Sequence, residues 1–471
     1  MSLPTRRTLT LVLLALGAGA AMRIWFIHAL AQVNGDGLVY GAIAANWLTR
    51  GVYGYEPAVV GGRVIAPTLI RLPGYPLFLA VCFRIFGLRN YRAVFYVQAL
   101  VDLAGCLFLA GFVRRIHSRR AAAAALLLAT LCPFTANYVA MPLTETLSVF
   151  CVALGFYAFA LVLERPRWPA LLLLALACSY AALLRPDGAL LGVTLFAALA
   201  VYGRRSLGLS RALRMAAVAG LISLLPFVPW AYRNWRDFHV FQPLAPRYAT
   251  DPNELSTPGF ERWTKTWMAD FASTYEIYWN VPGGPLNIDA LPPRAFDNSS
   301  QYVQTKQLFS AYNLRQRLNR TIDDGFDVLA SARIRAHPLR YYAELPVVRL
   351  SDMWLRPRVE MLNIELRWWQ YSLHPSETCI ALAYGALNLL YLIAATAGAF
   401  FRPRFAGAMV GYLAIRSALL LSLEAPEPRY TLEGLPLVLV FASVFASAAF
   451  FAKSDRTRGK LAHSDRPPPP A

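Results

Sequence analysis

Residues 72–89 read LPGYPLFLAVCFRIFGLR. The stretch is apolar, but it is short for a membrane span, opens on Pro73-Gly74-Tyr75-Pro76 and carries Arg84. Whether it crosses the bilayer fixes the side on which everything after it lies. Ten other apolar runs approach the ~20 residues a spanning helix needs: 8–31, 93–113, 121–140, 142–163, 168–184, 187–203, 211–231, 377–400, 404–423 and 432–452. If 72–89 does not fully span, the basic clusters all fall on one side. These are Arg6 and Arg7, RRIHSRR (114–120), ERPRW (164–168), YGRRSLGLSR (202–211), Arg402 with Arg404, and the tail from Lys453. If it spans, Arg6 and Arg7 are separated from the rest. The positive-inside rule therefore predicts ten full spans, with 72–89 lying at the interface or re-entering, over the alternative of eleven.

The composition agrees. Of 471 residues, 57% are hydrophobic and 15% charged, against about 25% charged in soluble domains. The fold class predicted is an all-α polytopic membrane protein. The net charge of +19 is carried by short clusters between apolar runs and not by a basic stripe interleaved with aromatics, which argues against nucleic acid as a partner. The six cysteines form no CxxC and the six histidines no HxxxH or HExxH, so neither a metal site nor a cofactor is indicated. The N-terminal run is long, lacks a clean A-x-A site before its end and precedes many more spans. It reads as an uncleaved first helix, not a signal peptide.

On this topology the chain divides into a first transmembrane helix (1–31), a first extracytoplasmic loop with amphipathic and re-entrant helices (32–92), a transmembrane bundle (93–232), an extracytoplasmic loop domain (233–376), C-terminal transmembrane helices (377–452) and a basic Pro-rich cytoplasmic tail (453–471) ending in RPPPPA. Composition predicts that RPPPPA is disordered. Val39, Ile43 and Trp47 recur at four-residue spacing, which predicts a helix lying on the membrane surface. The loop domain is expected to be mixed in structure. Its segment GFERWTKTWMADFASTYEIYWN (259–280) predicts interfacial or loosely packed helices with aromatics at headgroup level. The N-x-S/T triplets at Asn298 and Asn319 carry no weight without a eukaryotic secretory context.

The ionisable residues of interest lie in separate segments on the side away from the basic clusters. Asp36 follows the first span, with Tyr40 four residues on. Arg71 opens R-L-P-G-Y-P, in which Tyr75 is an anchor candidate. Glu145 begins an apolar helix, where a carboxylate also serves as a cap. Arg185 and Asp187 share the turn LLRPDGALL, Arg233 stands at the exit of a span in PWAYRN, and Glu427, Arg429 and Tyr430 share LEAPEPRYTLEGLP. Each has a plain structural reading as a cap, a turn or a local ion pair. Several acids and arginines converging on one face of a membrane protein mark a functional site.

The order of these motifs carries a family resemblance. It runs D-x-x-x-Y (Asp36, Tyr40), A-x-N-x-L-x-x-G (Ala44 to Gly51), R-x-P-G-Y-P-L-F-L-A with F-G (Arg71 to Gly87), P-L-T-E-T (Pro142 to Thr146), R-P-D-G, P-W-x-x-R-N (Pro229 to Asn234) and R-Y. This resembles the membrane glycosyltransferases of the GT-C fold, in the branch of protein O-mannosyltransferases and the lipid A aminoarabinose transferase. The resemblance covers the first half of the chain; the rest matches in layout and in the R-Y loop. It implies a GT-C type bundle of about 10–11 spans in the cell's inner (plasma) membrane. It also implies a polyprenyl-phosphate-linked sugar as donor, a lipid, glycan or protein acceptor, and a site on the extracytoplasmic face. The family's first-loop acid maps onto Asp36. The family often has a second acid beside it, where this chain has Gly35 and Gly37.

The residues suit that chemistry. Asp36 can take the proton of an acceptor hydroxyl, and Arg185, Arg233, Arg429 and Arg71 can hold the donor phosphate through paired N–H groups. Tyr40, Tyr75, Glu145, Asp187, Glu427 and Tyr430 are candidates for binding the substrates around them. A single carboxylate with no second nucleophile predicts inversion. The alternative is a transporter or flippase for a lipid-linked sugar, which calls for ionisable residues deep within spans and broken helices in matched halves. The acids read instead as lying at span ends. A third reading is an inactive scaffold that binds polyprenyl phosphate.

Overall fold

The computed structural model describes residues 6–56, 65–252 and 254–464; the RPPPPA terminus lies outside the described residues. Seven helical stretches are long and apolar enough to cross a membrane: Leu9–Leu30, Tyr91–Ile116, Glu145–Glu164, Pro186–Ser206, Leu209–Phe238, Pro375–Ala399 and Pro428–Ala449. An eighth is the pair Arg119–Thr130 and Pro133–Ala140, bent by 47° where Pro133 has no N–H to continue the helical ladder. Trp168–Leu184 and Ala406–Leu420 are shorter apolar helices. Each of the ten apolar runs of the sequence is thus a helix or a bent pair. Gly74–Phe86 has 13 residues, a length of about 20 Å, too short for a hydrocarbon core of ~30 Å.

The helix Glu145–Glu164 is apolar all round and accordingly lies in the middle, with only its two ends charged. It packs against Tyr91–Ile116 and Trp168–Leu184. Its far end pairs Glu164 with Arg115 at 2.5 Å. At that same end Arg404 N donates to the Ile116 carbonyl at 3.3 Å, and Tyr202 packs edge-on against Phe405 at 5.2 Å. The loops 114–120, 164–168 and 402–404 and the start of 202–211 are therefore gathered at one end of the bundle. Glu145 stands at the other end, about 30 Å away along the 20-residue helix.

Gly74–Phe86 buries Tyr75, Leu79, Ala80, Cys82 and Phe83 and turns Leu77, Val81 and Ile85 outward. Its start needs glycine: a Cβ on Gly74 would lie 2.6 Å from the Leu183 carbonyl. The Tyr180 hydroxyl donates to the Gly74 carbonyl at 3.1 Å. The surface helix expected over residues 38–49 is present as Gly35–Arg50, but its apolar face differs. Ile43 is fully buried against Tyr53, Leu69, Leu72 and Trp230, with Val39 packed beside it. Leu38, Trp47 and Leu48 are the exposed apolar side chains. Val39 and Ile43 of the stripe pack on protein, because the chain folds back over them through Tyr53 and Leu69, while Trp47 stays exposed.

The reading that the acids lie at span ends does not hold for Asp102, which falls inside the run 93–113. Asp102, midway along Tyr91–Ile116, is buried and ion-paired with Arg23. Arg23 also donates to the carbonyls of Gly19 (2.8 Å) and Thr130 (2.7 Å). This hydrogen-bonded pair stitches three helices together.

The segment 258–355 forms its own helical unit, with Pro258–Lys265, Ser299–Asn313, Arg320–Ala336 and Leu345–Leu355. No strand occurs among its described residues, so the expected mixed structure is not seen. Trp263 and Trp267 are fully buried with Phe260, Phe309 and Phe326; these aromatics make an interior and do not anchor headgroups. Within 259–280, Tyr275 and Trp279 are the exposed aromatics. Asn298 and Asn319 act as helix caps, accepting from Gln301 N at 3.0 Å and Ile322 N at 2.9 Å.

Burial, then the neighbouring Glu424, pushes the Glu261 carboxyl up from 4.5 to about 7. Between those pH values the folded chain keeps a proton that the unfolded chain releases, so this group lowers stability as pH rises through 7. Glu261→Gln is expected to stabilise the protein by about 1–3 kcal/mol at pH 8 and much less at pH 5, read from thermal unfolding at the two values.

Candidate functional site

At the Glu145 end of the bundle, side chains from five separate segments meet. Asp36 occupies the first turn of Gly35–Arg50. Arg71, in the loop before Gly74, donates to Asp36 Oδ1 at 2.6 Å. Arg429 Nη1 stands 3.5 Å from Asp36 Oδ2 and 3.9 Å from Glu145 Oε1. Arg185, from the turn between two apolar helices, reaches Glu145 Oε1 at 3.2 Å and Asp187 Oδ1 at 3.1 Å, with Glu433 Oε1 at 3.8 Å. Glu427 accepts from Arg429 Nε at 2.5 Å, from the Tyr430 hydroxyl at 2.7 Å and from Trp279 Nε1 at 3.3 Å. The Arg185 guanidinium lies over the Tyr430 ring at 5.2 Å, and that of Arg71 over Tyr40 at 5.7 Å.

Three charged residues that the sequence reading missed, Arg416, Arg358 and Glu433, complete the network. Arg416, from Ala406–Leu420, pairs with Asp187 at 3.0 Å and with Glu433. It also donates to the Tyr430 carbonyl at 2.8 Å. Arg358 donates to the Pro428 carbonyl at 3.1 Å and to the Thr431 hydroxyl. The turn Pro428–Gly434 is thus pinned by two fully buried arginines, and this fixes where Arg429 and Tyr430 point. A lone arginine inside an apolar run was the available signal for Arg416. Glu433, at the start of an apolar helix, looks like any cap.

Exposure sorts the arginines. Arg71, Arg185 and Arg429 keep 24%, 18% and 20% of their side chains accessible, whereas Arg416 keeps 1%. The first three can meet a ligand; Arg416 can only position its neighbours. Arg429 Nη1 stands 3.5 Å from Asp36 and 3.9 Å from Glu145 while its Nε is anchored on Glu427, so its outer nitrogens can turn toward a ligand from a fixed base. The Asp36 carboxylate is itself 31% accessible. Burial pushes it up, but Arg71 and then Arg429 outweigh burial and hold it below the usual carboxylate range. Burial pushes the Tyr40 hydroxyl up to about 12.

Not every candidate arrives here. The Tyr75 hydroxyl is spent on Gln98 Oε1 at 2.7 Å, and its ring is fully buried against Tyr40. Arg233 lies outside the cluster: it donates to the carbonyls of Thr68 (2.7 Å) and Tyr53 (2.8 Å), pairs with Asp237 at 2.9 Å and packs over the Tyr53 and Trp230 rings. Its guanidinium holds the first loop against the Leu209–Phe238 helix. Arg233→Ala is expected to destabilise the protein by about 2–4 kcal/mol without changing the KM of a substrate bound at Asp36. Thermal unfolding and initial-rate kinetics read the two effects separately.

A family model described as dolichyl-phosphate-mannose-protein mannosyltransferase matches residues 67–232. That segment holds Arg71, Tyr75, Glu145, Arg185 and Asp187. The comparison with curated proteins finds no match. Among solved structures, the archaeal oligosaccharyltransferase AglB from Archaeoglobus fulgidus, in complex with an inhibitory peptide and a dolichol-phosphate, is similar with a TM-score of 0.50 at 13% identity, over 98% of this chain and 52% of that one. The Archaeoglobus fulgidus oligosaccharyltransferase tethered to an acceptor peptide gives a TM-score of 0.51 at 13% identity, over 94% and 50%. ArnT from Cupriavidus metallidurans bound to undecaprenyl phosphate gives 0.42 at 16% identity, over 93% and 76%. The chain spans about half the length of the oligosaccharyltransferase structures it matches. Its helices, their connections and the matched segment agree: the chain is a polytopic membrane protein of the GT-C fold, mannosyltransferase-like over residues 67–232.

Proposed function

We propose that the protein transfers a sugar from a polyprenyl-phosphate-linked donor to an acceptor hydroxyl, on the extracytoplasmic face of the inner membrane. The observation that carries this reading is Asp36, an accessible carboxylate set between Arg71 and Arg429 with Arg185 beside them. Sidedness is supported by the basic loops gathered at the opposite end of the bundle. The AglB complex, similar in fold, holds a dolichol-phosphate, which supports a lipid phosphate as the donor's carrier.

The donor phosphodiester carries one negative charge. It draws Arg429 and Arg71 from Asp36, with Arg185 as a further donor of N–H groups. The leaving lipid phosphate gains a second charge in the transition state, so these guanidiniums stabilise the transition state more than the bound donor. Asp36, released from its partners, becomes a better base. It takes the acceptor's proton as the acceptor oxygen forms its bond to the anomeric carbon, and the bond from that carbon to the phosphate oxygen breaks. With Asp36 the most accessible carboxylate of the cluster, at 31% against 2% for Glu145 and 4% for Glu427 and Glu433, the displacement is single and inverts the configuration. NMR of the product from a donor of defined anomeric form tests this. The opposite configuration is expected; the same configuration would overturn single displacement.

A further inference from the structure

Beside the charged cluster, the helical unit has an open cavity of about 470 Å³ lined by Tyr275, Glu276, Asn280, Asn287, Asp289 and Arg367, within the range of ligand-sized pockets. We propose that this cavity holds a neutral sugar ring of the acceptor, so that the acceptor is a glycan or glycolipid. The proposal rests on the glycosyl-transfer reading above and names its second substrate.

The lining has the chemistry of a saccharide site. Tyr275 is 52% exposed and offers an aromatic face for the C–H face of a pyranose. Asn287 Oδ1 caps Asp289 N at 3.0 Å, which leaves its Nδ2 to donate to a hydroxyl, and Asn280 Oδ1 is left to accept from one. Asn280 is held by its own Nδ2 on the Glu276 carbonyl at 2.7 Å and by the Tyr312 hydroxyl on its carbonyl at 2.8 Å. Arg367 is tied to Glu276 at 3.0 and 3.2 Å. Asp289 makes no ion pair among the described residues, which leaves the cavity acidic and unsuited to a phosphate.

The cavity is also joined to the cluster. The Tyr275 ring packs against Trp279 at 5.4 Å, Trp279 is 44% exposed, and its Nε1 donates to Glu427 Oε1 at 3.3 Å. Glu427 is the carboxylate that holds Arg429 at 2.5 Å. Two exposed aromatic rings thus lead from the cavity to a residue of the cluster, on which the adjacent sugar of a glycan chain can lie.

Saturation-transfer difference NMR on the full-length protein in nanodiscs tests the assignment. The probes are neutral methyl hexopyranosides and their disaccharides. Saturation of ring protons is expected with the wild type and with Asp36→Asn, and about fivefold to tenfold weaker binding with Tyr275→Ala or Asn287→Ala. No saturation across the probes, or equal binding by the cavity variants, would overturn the proposal. In a transfer assay, Tyr275→Ala is expected to raise the acceptor KM and leave the donor KM unchanged. Label found in a proteinase-sensitive, glycosidase-resistant product would overturn it in favour of a peptide acceptor. Sugar bound in the cavity while Asp36→Asn transfers as well as the wild type would instead sink the catalytic reading and leave the cavity assignment standing.

Discussion

Asp36→Asn is expected to lower turnover by about a hundredfold or more, the scale of a lost general base, while the protein still inserts and the donor KM does not rise. The second half of the expectation comes from the ion pairs. Removing the carboxylate leaves Arg71 and Arg429 without their partner on this side, so both are freer to hold the donor phosphate. A merely structural carboxylate would behave in the opposite way, with lost expression and unchanged turnover in the remainder. The pH profile separates the two states of the site. In the free protein the two arginines keep the Asp36 carboxyl below its usual range, so the ionised form persists, and its ion pairs go on stabilising the fold, until pH falls through that lowered value. The acid limb of kcat/KM, which reports the free protein, is expected below the usual Asp value of about 3.9. The acid limb of kcat, which reports the donor complex, is expected at higher pH, because the arginines have turned to the phosphate. Coincident limbs would show that the arginines stay on Asp36.

Arg416→Leu is expected to be the most damaging single change to the fold at this site. It leaves Asp187 and Glu433 facing one another with only Arg185 near both. Breaking a buried ion pair by removing one partner costs about 3–5 kcal/mol, and here the Tyr430 carbonyl loses its donor as well. Thermal unfolding reads the loss. Activity is expected to fall with it, since the Pro428–Gly434 turn that presents Arg429 is no longer held from that side. Arg416→Lys restores the charge but not the two-pronged donation, and is expected to recover part of the stability. A stable and fully active Arg416→Leu protein would mean that Arg358 alone fixes the turn.

These two residues also mark what was legible in the sequence. Asp36, Arg71, Glu145, Arg185, Asp187, Glu427, Arg429 and Tyr430 stand out because each sits in a short connection at the end of an apolar run. Counting spans then puts those connections on one side, and the structure brings the eight together. Arg416 gives no such sign of its place. A single guanidinium within an apolar helix announces that it has a partner, but not that the partners are Asp187 and Glu433 on other segments. Arg23 and Asp102 were hidden in the same way, 79 residues apart. Arg233 misled because the exit of a span looks alike whether its arginine faces a ligand or the carbonyls of a neighbouring loop. Trp263 and Trp267 misled because an aromatic-rich segment reads the same at a headgroup layer as in a small core. Helix existence follows from local apolar content; which face of Gly35–Arg50 is covered depends on Tyr53 and Trp230, which no local pattern reveals.

The most direct test of the central claim is transfer by the purified full-length protein in proteoliposomes. Radiolabelled polyprenyl-phosphate sugars are supplied on one side and membrane glycolipids serve as acceptor, with wild type and Asp36→Asn run in parallel. Label moving into the acceptor with release of one polyprenyl phosphate per sugar, dependent on Asp36, is the predicted result. Labelled donor crossing the bilayer intact, with no transfer by either protein, would contradict it and assign the arginine cluster to moving a lipid-linked sugar.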